Sequence, residues 1–243
     1  GAGLRVISEG PNGEMPIADV VDGIQDASDP HSAITSLVIV ENCHAHTFSR
    51  PITPAYMREL RAALKPHGIP IHVDGARLFN AVVELGVSAR ELVADADSVT
   101  FCLSKGLAAP IGSVVVGSKE FIWKARRARK LLGGGMRQAG MLAAAGLHAL
   151  DHHVERMVED HSRATQLATS INAINGFTVD LSTVETNMVY FTSEIPATKV
   201  MDALATSGID VLDIGPHSCR IVVHLHVTDE DVSEVIRAFK NFA

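Results

Sequence analysis

The feature that most constrains the fold of this chain is a set of short apolar runs, rich in valine and isoleucine, that alternate with a helical pattern. The segment between the first two runs, residues 53–68, has helical spacing, a proline at its start and a glycine at its end. Strands that alternate with helices predict a mainly parallel sheet with helices on both faces. The runs are SLVIVENC (36–43), PIHVDGA (70–76), SVTFCLS (98–104) and IGSVVVG (111–117).

Length and pattern together predict two domains. The chain has 243 residues, of which 47% are hydrophobic, so it can bury one large core and one smaller one. We expect a large sheet domain over residues 1–150 and a small α+β domain over residues 151–243. A long helical connector should span 141–175. The small domain would contain apolar runs at 176–191, 210–215 and 219–227, a helix near 197–207 and a final helix at 229–242 that Thr228 caps.

Charge and hydropathy exclude several classes of protein. A net charge of −7 argues against nucleic acid as a partner, and no stretch has the length and apolar character of a membrane span or a signal peptide. The three cysteines lie apart, within or beside apolar runs, which favours reduced thiols and a cytoplasmic location. The basic run KARRARK (124–130) is either a solvated helix face or an anion site. Four histidines are expected on a solvated helix face without a metal: His148, His152, His153 and His161.

Lys105 interrupts an apolar segment that otherwise predicts two buried strands and a turn. One interpretation is a side chain at a strand end that extends its ammonium group to water. The other is chemical. Burial in an apolar, glycine-lined turn disfavours the charged form, and the free amine is the nucleophile that builds Schiff bases with carbonyl compounds.

Polar residues follow three of the predicted strands, at 41–44, 74–77 and 104–105. In parallel sheets, ligands usually bind at the carboxyl ends of the strands. A Schiff-base lysine needs a carbonyl partner, and pyridoxal phosphate is the commonest cofactor that offers one. Its ring nitrogen must stay protonated, which Asp74 could ensure, while Gly75 and Ala76 would leave room for a flat ring. Asp74 could instead cap a helix that starts at Arg77.

Three arginines are candidates for binding an anion. Arg77 follows Asp74 within one turn and could present its planar guanidinium to a carboxylate. Arg220 enters an apolar strand, where it could bind the same ligand or lie at a sheet edge. Arg137 follows three consecutive glycines just before a helix, which is typical either of an anion site or of a flexible linker.

Four motifs resemble those of the threonine aldolases, pyridoxal-phosphate lyases with the aspartate-aminotransferase fold. They occur in the family's order along nearly the whole chain. The resemblance implies an α/β fold of PLP fold type I, with a mainly parallel sheet, helices on both faces and a small C-terminal α+β domain. It also implies a large domain that is shortened at its N-terminus. The motifs are HVDGARLFNA, TFCLSKGLAAPIGSVVVG, RKLLGGGMRQAGMLAAAGLHAL and CRIVVHLHVTDEDV.

The resemblance implies a role for each residue near the cofactor, pyridoxal 5'-phosphate. Lys105 would be the catalytic residue that holds it as a Schiff base, and Asp74 would pair with the ring nitrogen. Arg77 would lie near the phenolate oxygen of the ring, and Ser104 would contact the cofactor beside Lys105. Arg137 would reach the phosphate across a subunit boundary, which implies a homodimer or homotetramer.

The resemblance also implies the substrate and the reaction. Arg77 and Arg220 would bind the carboxylate of a β-hydroxy amino acid, and His31 would lie close to its side-chain hydroxyl as a second catalytic residue. The reaction would be the retro-aldol cleavage of L-threonine or L-allo-threonine to glycine and acetaldehyde, with His31 or a water accepting the hydroxyl proton. Neither a membrane nor nucleic acid would be a partner.

Departures from the family pattern leave alternatives open. The resemblance begins after the family's Gly-Thr phosphate loop and ring-stacking histidine, and residues 8–14 are expected to form a surface turn. The sequence therefore predicts a fragment with weakened cofactor binding and exposed apolar surface. The segment ENCHAHTFSRP (41–51) departs from the Glu-Asn-Thr-His-Asn pattern, so the role of His44 stays open. The alternatives are another fold type I lyase or transaminase, or a binding or oligomerising subunit without activity.

Overall fold

A computed structural model describes residues 3–242 of the chain. Its first sheet has the strand order β1-β2-β3-β4; β1, β2 and β3 run parallel and β4 runs antiparallel to β3. Each strand lies within one of the four apolar runs, so the predicted mainly parallel sheet is confirmed. The strands are β1 (Val38–Glu41), β2 (Ile71–Gly75), β3 (Ser98–Cys102) and β4 (Ser113–Gly117).

Helices connect and cover these strands. The helix predicted between the first two runs is present: Thr53 accepts a hydrogen bond from the Tyr56 amide, and Gly68, at φ +65°, ends the following 3₁₀ turn. Its apolar side packs with Val40, Ile71 and Val73 into one core cluster. The helices in this part of the chain are α1 (Ile17–Asp22), α2 (Pro54–Leu64), α3 (Leu78–Leu85), α4 (Ala89–Leu92), α5 (Lys119–Leu131) and α6 (Gly140–His152).

The second sheet is antiparallel, with the strand order β5-β6-β8-β7. Its core holds Phe177, Phe191 and Phe239, whose ring centroids lie 5.1–5.9 Å apart in edge-to-face arrangements. This is the α+β unit that the sequence predicts. Its elements are α7 (Met157–Asn172), β5 (Phe177–Thr178), β6 (Met188–Ser193), α8 (Ala197–Ala205), β7 (Leu212–Gly215), β8 (Ser218–Val222) and α9 (Asp229–Lys240).

The prediction of one long connector over 141–175 is wrong, because the chain turns at 153–156 between α6 and α7. His153 leaves the helix there, and its Nδ1 lies 2.7 Å from the carbonyl oxygen of Leu107. Helix α7 begins at Met157 in the cluster beneath the Lys105 turn, and from Ala164 onward it belongs to the core of the second sheet. Residue 150, the predicted domain boundary, lies within the last turn of α6, and the division into two domains stays a prediction.

Exposed apolar side chains concentrate between residues 111 and 147. Helix α5 buries none of its residues, which agrees with a solvated face for the KARRARK run. On the first sheet, Ile39 and Val115 are 51% and 38% exposed. No helix of residues 3–242 is both long and apolar enough to cross a membrane. The other exposed large apolar residues of this region are Ile111, Val116, Phe121, Trp123, Leu131, Leu132, Met136, Met141 and Leu147.

We expect Thr228→Ala to lower the free energy of unfolding by about 1 kcal/mol. The Thr228 hydroxyl accepts from the Asp231 amide at 3.2 Å, and the Thr228 amide donates to the Asp231 carboxylate at 2.8 Å, which forms a capping box at the start of α9. Urea denaturation measures the loss. Thr169→Ala, inside α7, is the matched control and should cause no loss, since alanine is the better helix former. Equal effects of the two changes would contradict the capping role.

Candidate active site

The register of the parallel strands brings the predicted polar residues to one edge of the sheet. Glu41 at the end of β1 pairs with Asp74, and Asp74 pairs with Thr100 on β3. The turn with Lys105 follows β3 directly. The carboxyl-edge position that the sequence predicts for these residues is therefore confirmed.

Asp74 is exposed at this edge, and its Oδ1 accepts one hydrogen bond, from the Ala76 amide at 3.2 Å. It does not cap the next helix, because α3 has Arg77 at its N-cap position and no side-chain cap there. The expected space at Gly75 is taken: a Cβ would lie 2.6 Å from the Thr100 carbonyl oxygen and 3.0 Å from Leu78. The glycine serves strand packing, and the carboxylate is free for a ligand.

The Lys105 turn has a fixed backbone and an exposed side chain. The Ala108 amide donates to the Lys105 carbonyl at 2.8 Å, and the Ala109 amide donates to the Leu103 carbonyl at 2.9 Å. Leu103, Leu107 and Ala109 are buried in a small cluster that anchors the turn. Lys105 itself is exposed, which agrees with the interpretation that its ammonium group extends to water and not with burial in an apolar turn. Ser104 lies exposed beside it.

A polar network lies behind the Lys105 turn, and the sequence did not reveal it. A Cβ on Gly106 would lie 2.8 Å from Asn80 Oδ1, so only glycine allows this approach. Asn80 Nδ2 lies 3.2 Å from His161 Nε2, and His161 Nδ1 lies 3.2 Å from Glu84. His161 is 7% exposed, which makes its predicted surface position wrong. Burial lowers the pKa of His161 to about 4, so at neutral pH the contact with Glu84 is a hydrogen bond and not an ion pair.

Arg77 and Arg220 lie close together although they come from different sheets. Burial lowers the pKa of Arg77, and the charge of Arg220 lowers it further. Within residues 3–242 neither arginine forms a salt bridge. The buried Nε of Arg220 has no hydrogen-bond partner there either. Two like charges, one with an unused donor, form a site whose charge and donors fit a carboxylate.

His44 follows β1 at the same edge. Its Nδ1 lies 3.0 Å from Thr47 Oγ1, and its Nε2 lies 3.7 Å from Glu41 Oε2. The turn at residues 8–14 is not wholly a surface turn, since Gly13 is buried there at φ +81°. A Cβ on Gly13 would lie 2.5 Å from Thr47 Oγ1 and 3.0 Å from the His44 side chain. His44 is thereby held on two sides, beside a carboxylate.

Two of the predicted site residues, His31 and Arg137, make no contact with the residues at the carboxyl edge. The His31 side chain is 92% exposed, and its Nδ1 lies 3.0 Å from Asp29. Ile34 and Thr35, which follow it, line a cavity of about 400 Å³ with Ile69, just before the amino end of β2. Arg137 is exposed in the segment between α5 and α6. The structure does not bring His31 or Arg137 into contact with Lys105 or Asp74, and their roles stay predictions.

The side chains at the carboxyl edge fit pyridoxal phosphate chemically. An exposed amine on Lys105 and an exposed carboxylate on Asp74 follow neighbouring strands, and Asp74 uses one oxygen for a single backbone bond. A Schiff-base cofactor with a basic ring nitrogen needs these two groups.

Comparison with known proteins agrees with this geometry. A family model described as beta-eliminating lyase matches residues 1–194. The low-specificity L-threonine aldolase 1 of Arabidopsis thaliana is 43% identical over 210 residues, covering 85% of this chain and 59% of that protein. The low specificity L-threonine aldolase of Escherichia coli K12 is 35% identical over 237 residues, covering 97% and 68%. The solved structure of Leishmania major threonine aldolase has a TM-score of 0.77 at 17% identity, covering 97% of this chain and 69% of that chain.

The architecture is that of the fold type I enzymes, as in the Leishmania major structure. The chain belongs to the beta-eliminating lyase family, and the two relatives described above carry the name low-specificity L-threonine aldolase. It spans 59% and 68% of the lengths of the two relatives described here.

We expect the free energy of unfolding of the wild type to fall as the pH drops from 6.5 to 4. This loss should exceed the loss in His161→Gln by on the order of 2 kcal/mol. Over this range the unfolded chain binds a proton on His161, whereas the folded chain, with a pKa of about 4, does not. Urea denaturation at successive pH values measures the difference. His67→Gln, at an exposed position, should leave the wild-type slope unchanged. Identical slopes for wild type and His161→Gln would disprove the assignment.

Proposed function

We propose that this chain carries the active site of a pyridoxal-phosphate-dependent aldolase that cleaves L-threonine or L-allo-threonine to glycine and acetaldehyde. The observation that carries the proposal is the Arg77–Arg220 pair, with the partnerless buried Nε of Arg220, close to the edge that presents Lys105 and Asp74. Relatives named low-specificity L-threonine aldolase support the substrate class.

Lys105 and Asp74 would hold the cofactor. Pyridoxal phosphate supplies a carbonyl with which an amine condenses and a ring that accepts an electron pair when protonated. Lys105 offers its Nζ from a turn whose backbone is fixed by buried neighbours. The Asp74 carboxylate would keep a proton on the ring nitrogen. Ser104 and Arg77 would contact the ring's polar groups, and Arg137 the phosphate of a second subunit's cofactor.

The two arginines would orient the substrate. A carboxylate held by Arg77 from the first sheet and Arg220 from the second has its position fixed at two points. This would fix the orientation of the bonds at Cα relative to the bound cofactor, and such positioning can supply several kcal/mol of the barrier reduction. It also relieves the repulsion between two half-buried guanidinium groups.

A histidine would accept the proton of the β-hydroxyl. The resemblance to the threonine aldolases assigns this role to His31. The position of His44 supports a second assignment, since it follows β1 at the same edge as Asp74 and has Glu41 3.7 Å from its Nε2. The carboxylate would stabilise the imidazolium that forms when Nε2 takes the proton.

A second candidate is the elimination chemistry that the family model is named for. It would use the same lysine and arginine pair with a different β-substituent. Product analysis with threonine, serine and tryptophan separates the two: acetaldehyde and glycine support the aldolase, whereas pyruvate or indole supports elimination.

The proposal includes a homodimer or homotetramer in a reducing compartment such as the cytoplasm. Exposed apolar side chains between residues 111 and 147 support a subunit contact. All three cysteines are free, two of them buried, which supports the compartment.

We expect pyridoxal phosphate to give the folded chain a visible absorbance band, and borohydride reduction to fix the label on Lys105, as mapped by peptide mass spectrometry. Lys105→Arg should lose both signals because a guanidinium group does not condense with the aldehyde. Lys119→Arg, at another exposed lysine after a strand, is the matched control and should keep them. A folded wild-type chain without label on Lys105 would refute the cofactor site.

We expect His44→Gln to lower kcat for threonine cleavage by about 10²-fold or more, the typical contribution of a general base. If His44 is the proton acceptor, His31→Gln should lower kcat by less than about threefold. Turnover is measured as acetaldehyde release. The reverse order of effects would return the role to His31.

A further inference from the structure

A loop at residues 44–50 joins the two halves of the molecule through Tyr190. The Tyr190 hydroxyl, on β6 of the second sheet, donates a hydrogen bond to the Ala45 carbonyl oxygen. The Tyr190 ring meets Phe48 edge-on, with centroids 5.2 Å apart and an interplanar angle of 82°. Tyr190 is 8% exposed, so both contacts are made away from water.

Other contacts fix the same loop against the second sheet. Arg50 Nε lies 2.5 Å from the Glu185 carboxylate, and Thr186 donates to the Ser49 carbonyl oxygen at 2.8 Å. Phe48 and Ser49 both have positive φ angles, +62° and +58°, which residues other than glycine rarely adopt. A strained loop persists only where its surroundings over-determine it, and strain of this kind concentrates at functional sites.

Tyr190 is the direct cross-strand partner of Arg220. The register pairs Tyr190 on β6 with Arg220 on β8, and residues directly opposite each other in antiparallel strands share one face of the sheet. Burial raises the pKa of the Tyr190 hydroxyl, and the neighbouring guanidinium group of Arg220 acts in the opposite direction. The charge of Arg77 acts on it in the same direction. One hydroxyl thus lies beside both arginines of the carboxylate site.

The Tyr190 hydroxyl can interact with the Ala45 carbonyl oxygen and with Arg220 at the same time. A phenol has one hydrogen to donate and lone pairs to accept with, and the hydrogen is used on the Ala45 carbonyl oxygen. The lone pairs of its oxygen then remain available to accept from the guanidinium group of Arg220, which lies on the cross-strand partner of Tyr190. Arg220 also faces the repulsion of Arg77, so it needs a fixed acceptor to stay in place without a ligand.

We propose that Tyr190 is a positioning residue: its hydroxyl, anchored on the Ala45 carbonyl, holds Arg220 beside Arg77 in the orientation that receives a carboxylate. The inference rests on the proposed function for the identity of that carboxylate. The placement of Arg220 by Tyr190 can be measured without any turnover.

The first test uses the two tyrosines of the chain as a matched pair. Tyr56 is also buried, and its hydroxyl also donates to a backbone carbonyl, that of Met15 at 2.8 Å. The signal of the Arg220 Nε proton in ¹H–¹⁵N spectra, assigned with Arg220→Lys, reports the order of this side chain. We expect Tyr190→Phe to broaden or shift that signal and Tyr56→Phe to leave it unchanged. An unchanged Arg220 signal in folded Tyr190→Phe would overturn the proposal.

A second measurement leaves Tyr190 in place. In Tyr56→Phe protein grown with 3-fluorotyrosine, Tyr190 carries the single fluorine label, because the chain has two tyrosines. Arg220→Lys should shift this ¹⁹F resonance, and Arg237→Lys, on the exposed side of α9, should not. If neither change moves the resonance, the phenol does not interact with Arg220, and the proposal fails even if Tyr190→Phe were unfolded.

The kinetic arm separates a positioning role from a purely structural one. In active, cofactor-loaded enzyme we expect Tyr190→Phe to raise KM for the amino acid about tenfold and to change kcat by less than about twofold, since one hydrogen bond to a charged group is affected. Tyr56→Phe should change neither. An unchanged KM would overturn the proposal. If no variant turns over threonine, the proposed function fails while the spectroscopic results still decide the role of Tyr190.

Discussion

The site depends on the parallel register of β1, β2 and β3. Because the three strands point the same way, Glu41, Asp74 and the Lys105 turn leave the sheet at one edge, although 64 positions of sequence separate Glu41 from Lys105. An antiparallel neighbour would place its end at the opposite edge, as β4 does. The chemistry of a lysine and a carboxylate near one ligand therefore follows from strand direction, before any side chain is considered.

The site also depends on how the two sheets pack, because each contributes one arginine to the proposed carboxylate site. Arg77 lies at the start of α3 beside the first sheet, whereas Arg220 belongs to an antiparallel strand of the second. The loop at residues 44–50 fixes their relation through contacts with Glu185, Thr186 and Tyr190. Substrate binding would thus use a joint between two packed units, which is a common location for ligand sites.

Sequence patterns predicted the strands, most helices and the carboxyl-edge location, because these depend on local hydrophobic periodicity and chain direction. The missed features are long-range. The helix break at 153–156 depends on His153 meeting the carbonyl of Leu107, and the burial of His161 depends on Asn80, 81 positions earlier. The signal that could have located Tyr190 was weak: a phenol in an apolar strand whose partner strand carries Arg220. The apolar neighbours of Lys105 left its burial or exposure open, because the sequence does not show that these neighbours pack under the turn while the lysine itself is exposed.

Helix α7 belongs to both cores: Met157 packs beneath the Lys105 turn, and residues from Ala164 to Ile171 form one wall of the second core. Neither core can lose its packing without exposing part of the same rigid helix. The two sheets should therefore not behave as independent folding units, and the amides in the middle of α7 should be among the slowest to exchange with solvent. A substitution in the aromatic core of the small unit would then loosen the lysine turn in the other, although the two share no strand.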